Sequence, residues 1–159
     1  ATNSGAPVAW RGGVNRPDGG RTAPSALGAR DVTIYVALPE GAYRYEPDEH
    51  ALVLAAGADL RRITGYQDFV DEAPLDLVYV GDQGRLGAVP LLQRVQYACI
   101  SAGAMAQNVY LACAASGLGC VIRAWIDRDA LASALGLSHD QHVLVSQTVG
   151  YPPTPAPSA

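Results

Sequence analysis

Arginine supplies every basic side chain in this sequence: all 11 Lys and Arg positions are arginines. A phosphate or carboxylate must therefore be held by guanidinium groups, hydroxyls or backbone N–H groups. Arg21 begins a loop that carries two hydroxyls, Thr22 and Ser25, and Arg123 ends a short apolar strand where we expect it to meet solvent. Both positions predict an anion site. For the loop, an ordinary turn with a capping serine is an equal alternative.

Other catalytic chemistry is not indicated by any motif. The sequence contains no phosphate-binding glycine loop, no helical zinc-protease motif and no serine-hydrolase elbow. The three cysteines have no zinc-site spacing and lie in apolar surroundings, which predicts buried, free and unreactive thiols: Cys99, Cys113 and Cys120. If the protein is an enzyme, a cofactor is expected to carry its chemistry.

Length and charge limit the class of protein. A chain of 159 residues is long enough for one domain with its own core. The net charge of −4 and pI of about 5.2 give no support for a nucleic-acid partner. No signal peptide is visible, so we expect a cytoplasmic protein, with an exported mature form that begins at Ala1 as the alternative.

The expected elements alternate between strands and helices around one sheet, an α+β layout. Residues rich in β-branched and aromatic side chains predict strands. In the last strand, Val143, Val145, Gln147 and Val149 are expected to share one face. The predicted strands and hairpin are Val32 to Leu38, Gly41 to Leu54, Leu75 to Val80, Cys120 to Ile122, and Gln141 to Val149.

A small-residue helix is expected at the centre of the fold, after a shorter helix from Leu91 to Ile100. Seven of the 15 residues from Ser101 to Ala115 are Ala or Gly. Such a helix should be buried on most sides, and it allows close approach of a second helix, which predicts a dimer. Gln107 and Asn108 interrupt the apolar run and argue against a membrane span.

Several motifs in a fixed order resemble one family. They are Arg21-Thr22-Ala23-Pro24-Ser25-Ala26 before a strand, Tyr43-Arg44-Tyr45 in a hairpin, Ala106-Gln107-Asn108-Val109-Tyr110-Leu111, and Val149-Gly150-Tyr151-Pro152. Together they resemble the nitroreductase-like FMN-dependent oxidoreductases, and most closely the branch with the azoline-oxidising peptide dehydrogenases. The resemblance extends over roughly Val14 to Pro152.

The resemblance implies an α+β sandwich in which helices flank a central, mostly antiparallel sheet, and an intertwined homodimer with FMN at the interface. The loop from Pro24 to Ala26 would approach the flavin ring, Arg21 would contact the flavin or its phosphate, and the backbone of Arg123 and Ala124 would face the N5 edge. Gly28 stands where the family often has an asparagine. The implied cofactor contacts are Arg21, Pro24, Ser25, Ala26, Gly28, Arg123 and Ala124.

The implied activity is hydride transfer between NAD(P)H and an electron-poor small molecule, such as a nitro compound, quinone, enone or azoline. The family's usual N-terminal arginine-rich segment does not occur here, so phosphate binding would rest on Arg16, Arg21, Arg30 or Arg123. The alternative is a truncated or degenerate flavin-fold protein that acts as a non-catalytic binding or maturation subunit. We divide the chain into an irregular arm (1–20), a nitroreductase-like domain (21–152) and a proline-rich tail (153–159).

Overall fold

A six-stranded antiparallel sheet organises the residues that the structure describes, which are 16–152 of this computed structural model. The predicted arm as far as residue 15 and the tail from residue 153 lie outside that range. The strands are β1 (Val32–Leu38), β2 (Gly41–Glu46), β3 (Ala51–Ala56), β4 (Leu75–Asp82), β5 (Gly119–Arg123) and β6 (Gln141–Gly150). Their order is β3-β2-β1-β4-β6-β5, with every neighbouring pair antiparallel. This agrees with the predicted α+β layout.

One long helix, α1 (Leu91–Ala115), covers one face of the sheet and replaces the two helices expected there. Two residues after its end, Gly117 has a φ of +68°, which suits a residue without a Cβ. The length and composition of α1 alone would allow a membrane span, but its buried face packs against the sheet. The buried residues recur at helical spacing: Ala98, Ser101, Ala102, Met105, Ala106, Val109 and Cys113.

The expectation that this helix is buried on most sides is wrong for a single protomer. The sheet covers only one face, and the opposite face leaves apolar side chains in solvent, including Leu92, Ile100 and Leu111. Cys99 lies on that face and is exposed, so the prediction of three buried thiols is also wrong. Helical spacing placed these residues on one stripe, but the composition could not tell which stripe meets the sheet.

The second helix, α2 (Arg128–Ala134), covers the other face of the sheet. Its N-cap is Asp127, whose Oδ1 atom accepts a hydrogen bond of 3.0 Å from the Ala130 N–H. A short 3₁₀ turn, Arg61–Thr64, packs on the same side through Ile63. Each face of the sheet therefore has its own core.

A β-bulge in β6 overturns the expected alternation of its side chains. Tyr79 pairs with Val145 and the next residue, Val80, pairs with Val143, so Leu144 is an extra residue in β6. Val143 consequently packs in the α2 core, while Val145 packs against the α1 core. The prediction that these two valines share a face is wrong because the bulge changes the parity of the strand between them.

Candidate functional site

The loop that leads into β1 has an unusual backbone. Leu27 and Arg30 have φ values of +53° and +52°, and Gly28 between them has +67°. Ser25 supports the loop, since its Oγ accepts a hydrogen bond of 3.0 Å from the Arg30 N–H. Positive φ is unfavourable for residues with a Cβ and is concentrated at binding and catalytic sites. This loop, which the sequence singled out for its hydroxyls, therefore also has a strained backbone at Leu27 and Arg30.

A cavity of about 380 Å³ opens beside this loop, where β2 separates from β1. The β1–β2 pairing begins at Tyr35 and Arg44, so the first three residues of β1 have no partner in β2. Charged side chains dominate the wall: Arg21, Arg30, Arg44, Arg85, Glu46 and Asp48. A concave site of this size with convergent guanidinium groups suits an anionic small molecule.

Two of these arginines, Arg21 and Arg30, share one carboxylate. Their Nη2 and Nη1 atoms each lie 3.6 Å from the same Oδ1 of Asp48, beyond direct hydrogen-bond distance. The buried Nε of Arg21 has no hydrogen-bond partner among residues 16–152. Burial lowers the pKa of Arg21 from its ordinary value, and the positive charge of Arg30 lowers it further. The two guanidinium groups therefore face a single carboxylate charge, and Arg21 Nε lacks an acceptor among the described residues.

Below the loop, Asp31 is a fully buried acid that the sequence did not single out as functional. Its Oδ1 accepts a hydrogen bond of 3.1 Å from the Ser101 hydroxyl of α1, whereas its Oδ2 has no partner within the described part of the chain. Arg21, Pro24, Ser25 and Asp31 line a second cavity of about 20 Å³ there. A space of that size holds about one water molecule.

The predicted cofactor contacts fall into two groups. Arg21, Pro24 and Ser25 line the small cavity, and Ala26 and Gly28 belong to the 3₁₀ turn that follows, Ala26–Gly28. Arg123 ends β5 and Ala124 follows it in an exposed position. Because β5 runs antiparallel to β6 and β6 runs parallel to β1, the end of β5 and the start of β1 lie at the same end of the sheet.

The prediction that the Arg123 side chain meets solvent is wrong, because the structure buries it. The residue is only 6% exposed. Its Nη2 donates to Asp76 Oδ1 at 3.0 Å and to Thr64 Oγ1 at 3.2 Å, and its Nη1 donates to the Thr148 hydroxyl. The Phe69 ring covers the guanidinium at 5.6 Å. The segment containing Thr64 and Phe69 closes over the end of β5, which the local sequence around Arg123 could not indicate.

Arg123 also points to the face of the sheet opposite α1. It pairs in register with Ser146, whose neighbour Gln147 donates to the Ala106 carbonyl of α1. Adjacent residues of a strand point to opposite faces, so Ser146 and Arg123 point away from α1. Arg21 instead shares its small cavity with Ser101 and Met105 of α1. The two arginine side chains that the sequence grouped together therefore lie on different faces.

Two aromatic rings lie beside the exposed Ala124. The Trp125 and Tyr66 rings are 5.1 Å apart between centroids and inclined at 46°. Both side chains are more than half exposed. The sequence offered no signal for this contact, since the two residues are distant in the chain and meet through the turn that follows Thr64.

The strained Leu27 leads to a stability prediction. We expect Leu27→Gly to raise the free energy of unfolding by about 0.5–1 kcal/mol, because glycine adopts positive φ without a Cβ clash and this gain exceeds its entropic cost. The Leu27 side chain is 78% exposed, so little buried contact is lost. Leu27→Ala is the matched control, since it removes the same contacts but keeps the Cβ. Urea unfolding that ranks the two variants equal would contradict the prediction.

Comparison with known proteins gives a family match. Residues 9–151 match the sequence profile of the Nitroreductase family. The chain is 32% identical over 119 residues to the Methanocaldococcus jannaschii protein named "Putative nitroreductase MJ1384". That alignment covers 69% of this chain and 60% of the relative, so the chain spans less than two thirds of the relative's length.

Solved structures give the same result. The crystal structure of a putative nitroreductase from Ralstonia eutropha JMP134 is 46% identical, with a TM-score of 0.88 over 98% of this chain and 75% of that one. At 17% identity, the Escherichia coli microcin synthetase McbBCD complex has a TM-score of 0.81 over 93% of this chain and 62% of that one. A putative nitroreductase from Desulfovibrio desulfuricans in complex with FMN has 20% identity and a TM-score of 0.64, with coverages of 100% and 79%. The last two support the fold alone.

Proposed function

The chain belongs to the nitroreductase family, and from that premise we propose that it is an FMN-dependent oxidoreductase. It would pass hydride between NAD(P)H and an electron-poor small molecule. The observation that carries the proposal is the Arg21–Arg30 pair beside the Pro24-Ser25 loop, a cationic site in which Arg21 Nε has no acceptor in the described part of the chain. The membership in the azoline-oxidising branch stays a prediction.

The residues present fit FMN. A phosphate dianion needs charge-assisted donors when it leaves water, and Arg21 and Arg30 offer them at one cavity. When bound, FMN supplies the hydride chemistry at its N5 atom. Our chain would hold the phosphate through these arginines, place the Pro24–Ala26 loop and Gly28 against the ring, and turn the backbone of Arg123 and Ala124 towards N5. The aromatic pair beside Ala124 would suit a planar acceptor.

The decisive experiment is spectroscopic. We expect purified protein mixed with FMN to retain a flavin absorption band after gel filtration, and NADH or NADPH to bleach that band without oxygen. A reduced protein that a quinone or nitroaromatic reoxidises would support the proposed activity. A protein that binds no FMN would contradict it and favour the degenerate binding subunit.

The free cysteines are compatible with a reducing, cytoplasmic location.

We also propose a homodimer that uses the uncovered face of α1. Contiguous apolar surface of this kind marks interaction sites, and Gly103 at its centre allows close approach of a second helix. This face carries Leu92, Val95, Cys99, Ile100, Gly103 and Leu111. The family resemblance implies two FMN sites at such an interface, so dimer formation would complete each site.

Cys99 reports on this interface. At micromolar concentration we expect native protein to label slowly at Cys99, because the second protomer would cover it, and Ile100→Glu to make it label rapidly. Cys113 is buried within the protomer and serves as the internal control, since it should react only after unfolding. Fast labelling of wild-type Cys99, together with a monomer mass in sedimentation, would contradict the proposed dimer.

A further inference from the structure

We propose that the Asp48 carboxylate competes with a phosphate monoester dianion for the Arg21–Arg30 pair, and that the ligand displaces this carboxylate when it binds. The inference rests on the proposed function only for the identity of the ligand as FMN. It adds a regulator of affinity, located in the β2–β3 hairpin, to the predicted contact at Arg21.

The distribution of charge around the large cavity singles out this pair. Arg44 has its own acid, with Nε 2.6 Å from Glu46 Oε1, and Arg85 Nε lies 3.3 Å from Asp82 Oδ2. Among the described residues, Arg21 and Arg30 have only one acid between them, with Asp48 Oδ1 at 3.6 Å from each, while Arg30 Nη2 donates to the Gly19 carbonyl at 3.1 Å. Two positive charges therefore face one negative charge, and the deficit lies between these two guanidinium groups.

The position of the Asp48 oxygen marks where a ligand oxygen would sit. It lies equally far from both guanidinium groups, yet beyond the 2.7–2.9 Å that is typical of charge-assisted hydrogen bonds. A phosphate has several acceptor oxygens, so it can accept hydrogen bonds from both guanidinium groups at once. One carboxylate cannot satisfy all of these donors from its present position.

The Asp48 side chain can move away from the two arginines. Its side chain is 61% exposed and lies in the turn between β2 and β3, so it can return to water without opening the core. His50 in the same turn has a φ of +50° and accepts or donates a 2.9 Å hydrogen bond between its Nδ1 and the Tyr45 hydroxyl. This contact anchors the turn to β2 and keeps the carboxylate opposite the arginines.

The test compares Asp48→Asn with Asp71→Asn. The control removes the same charge from another partly exposed arginine–aspartate pair, Arg62–Asp71, whose residues do not line the large cavity. The probes are FMN, riboflavin and inorganic phosphate. Since exposed ion pairs contribute up to about 1 kcal/mol, we expect Asp48→Asn to tighten FMN and phosphate binding by roughly two- to five-fold, with riboflavin unchanged.

Each outcome decides the proposal. Tighter FMN and phosphate binding in Asp48→Asn alone supports it. Unchanged affinities, an equal effect in Asp71→Asn, or an equal gain for riboflavin overturns it. If the wild type binds no FMN, the proposed function fails, and phosphate binding followed by ³¹P NMR still decides the subsite: absent or unchanged binding in Asp48→Asn overturns the inference. Asp48→Ser repeats the test with a second neutral side chain.

Discussion

Replacing Arg123 by alanine should lower the free energy of unfolding by about 3–5 kcal/mol, the usual cost of leaving one charge of a buried pair without its partner. Asp76 is fully buried, and Arg123 donates to its Oδ1 at 3.0 Å. The Thr148 hydroxyl also donates to that oxygen. Alanine would leave the carboxylate with hydroxyl partners but no counter-ion. We therefore expect Arg123 to contribute to the stability of the fold, although the sequence suggested that it binds an anion.

Urea unfolding measures this effect, with Arg62→Ala as the matched control. Arg62 pairs with Asp71 at 2.8 Å, but its side chain is 69% exposed, so its removal should cost at most about 1 kcal/mol. The double variant Arg123→Met/Asp76→Leu should recover much of the loss, because it removes both charges. Equal losses for Arg123→Ala and Arg62→Ala would contradict a buried pair.

The loss in Arg123→Ala should also depend on pH. Burial raises the pKa of Asp76 above its ordinary value of 3.8, while bonds from Thr148 and Arg123 oppose the shift. Without Arg123 the folded-state pKa rises further. Folding then favours the protonated acid, so the variant should be nearest to wild type below pH 3.8 and lose stability as the pH rises through the folded-state pKa. A loss that is constant from pH 3 to 8 would contradict this assignment.

Arg21→Ala should weaken FMN binding by about 1.5–3 kcal/mol, the value of a hydrogen bond to a charged group. This corresponds to roughly ten-fold or more in affinity. Riboflavin lacks the phosphate, so its affinity should change much less. Flavin fluorescence during titration gives both constants.

Arg44→Ala is the matched control for Arg21, since Arg44 lines the same cavity but is paired with Glu46. It should leave FMN affinity within about three-fold of wild type, because that guanidinium already has a counter-ion. An equal loss of FMN affinity in Arg21→Ala and Arg44→Ala would indicate that the total positive charge of the cavity attracts FMN, and not a specific contact with Arg21. Parallel losses for FMN and riboflavin in Arg21→Ala would place the phosphate elsewhere.

Local patterns in the sequence were sufficient for most elements of the fold. The run VTIYVAL was predicted as a strand and forms β1 with the same ends. Asp127 caps α2 through the N–H of a residue only three positions along the chain. The hairpin of β2 and β3 also follows the prediction. These features depend on residues that are near one another in the chain, where side-chain branching, capping oxygens and turn residues act directly on the backbone.

The bulge at Leu144 and the exposed face of α1 were decided by packing. A strand of alternating residues carries no local mark of an extra residue, which arises from pairing with β4. A helix with apolar or small residues on both of its faces has no single apolar stripe, so only contact with the sheet determines which side is buried.

Charge pairing was decided by the tertiary structure as well. Arg123 meets Asp76 across 47 positions, and Asp31 meets Ser101 across 70. The sequence by itself identified the loop from Arg21 to Gly28 as a candidate cradle, because its hydroxyls, proline, glycine and arginine are contiguous. Which arginine keeps unused donors depends on acids brought near by the order of the strands. Electrostatic interactions act over distances in space, and only the folded chain sets those distances.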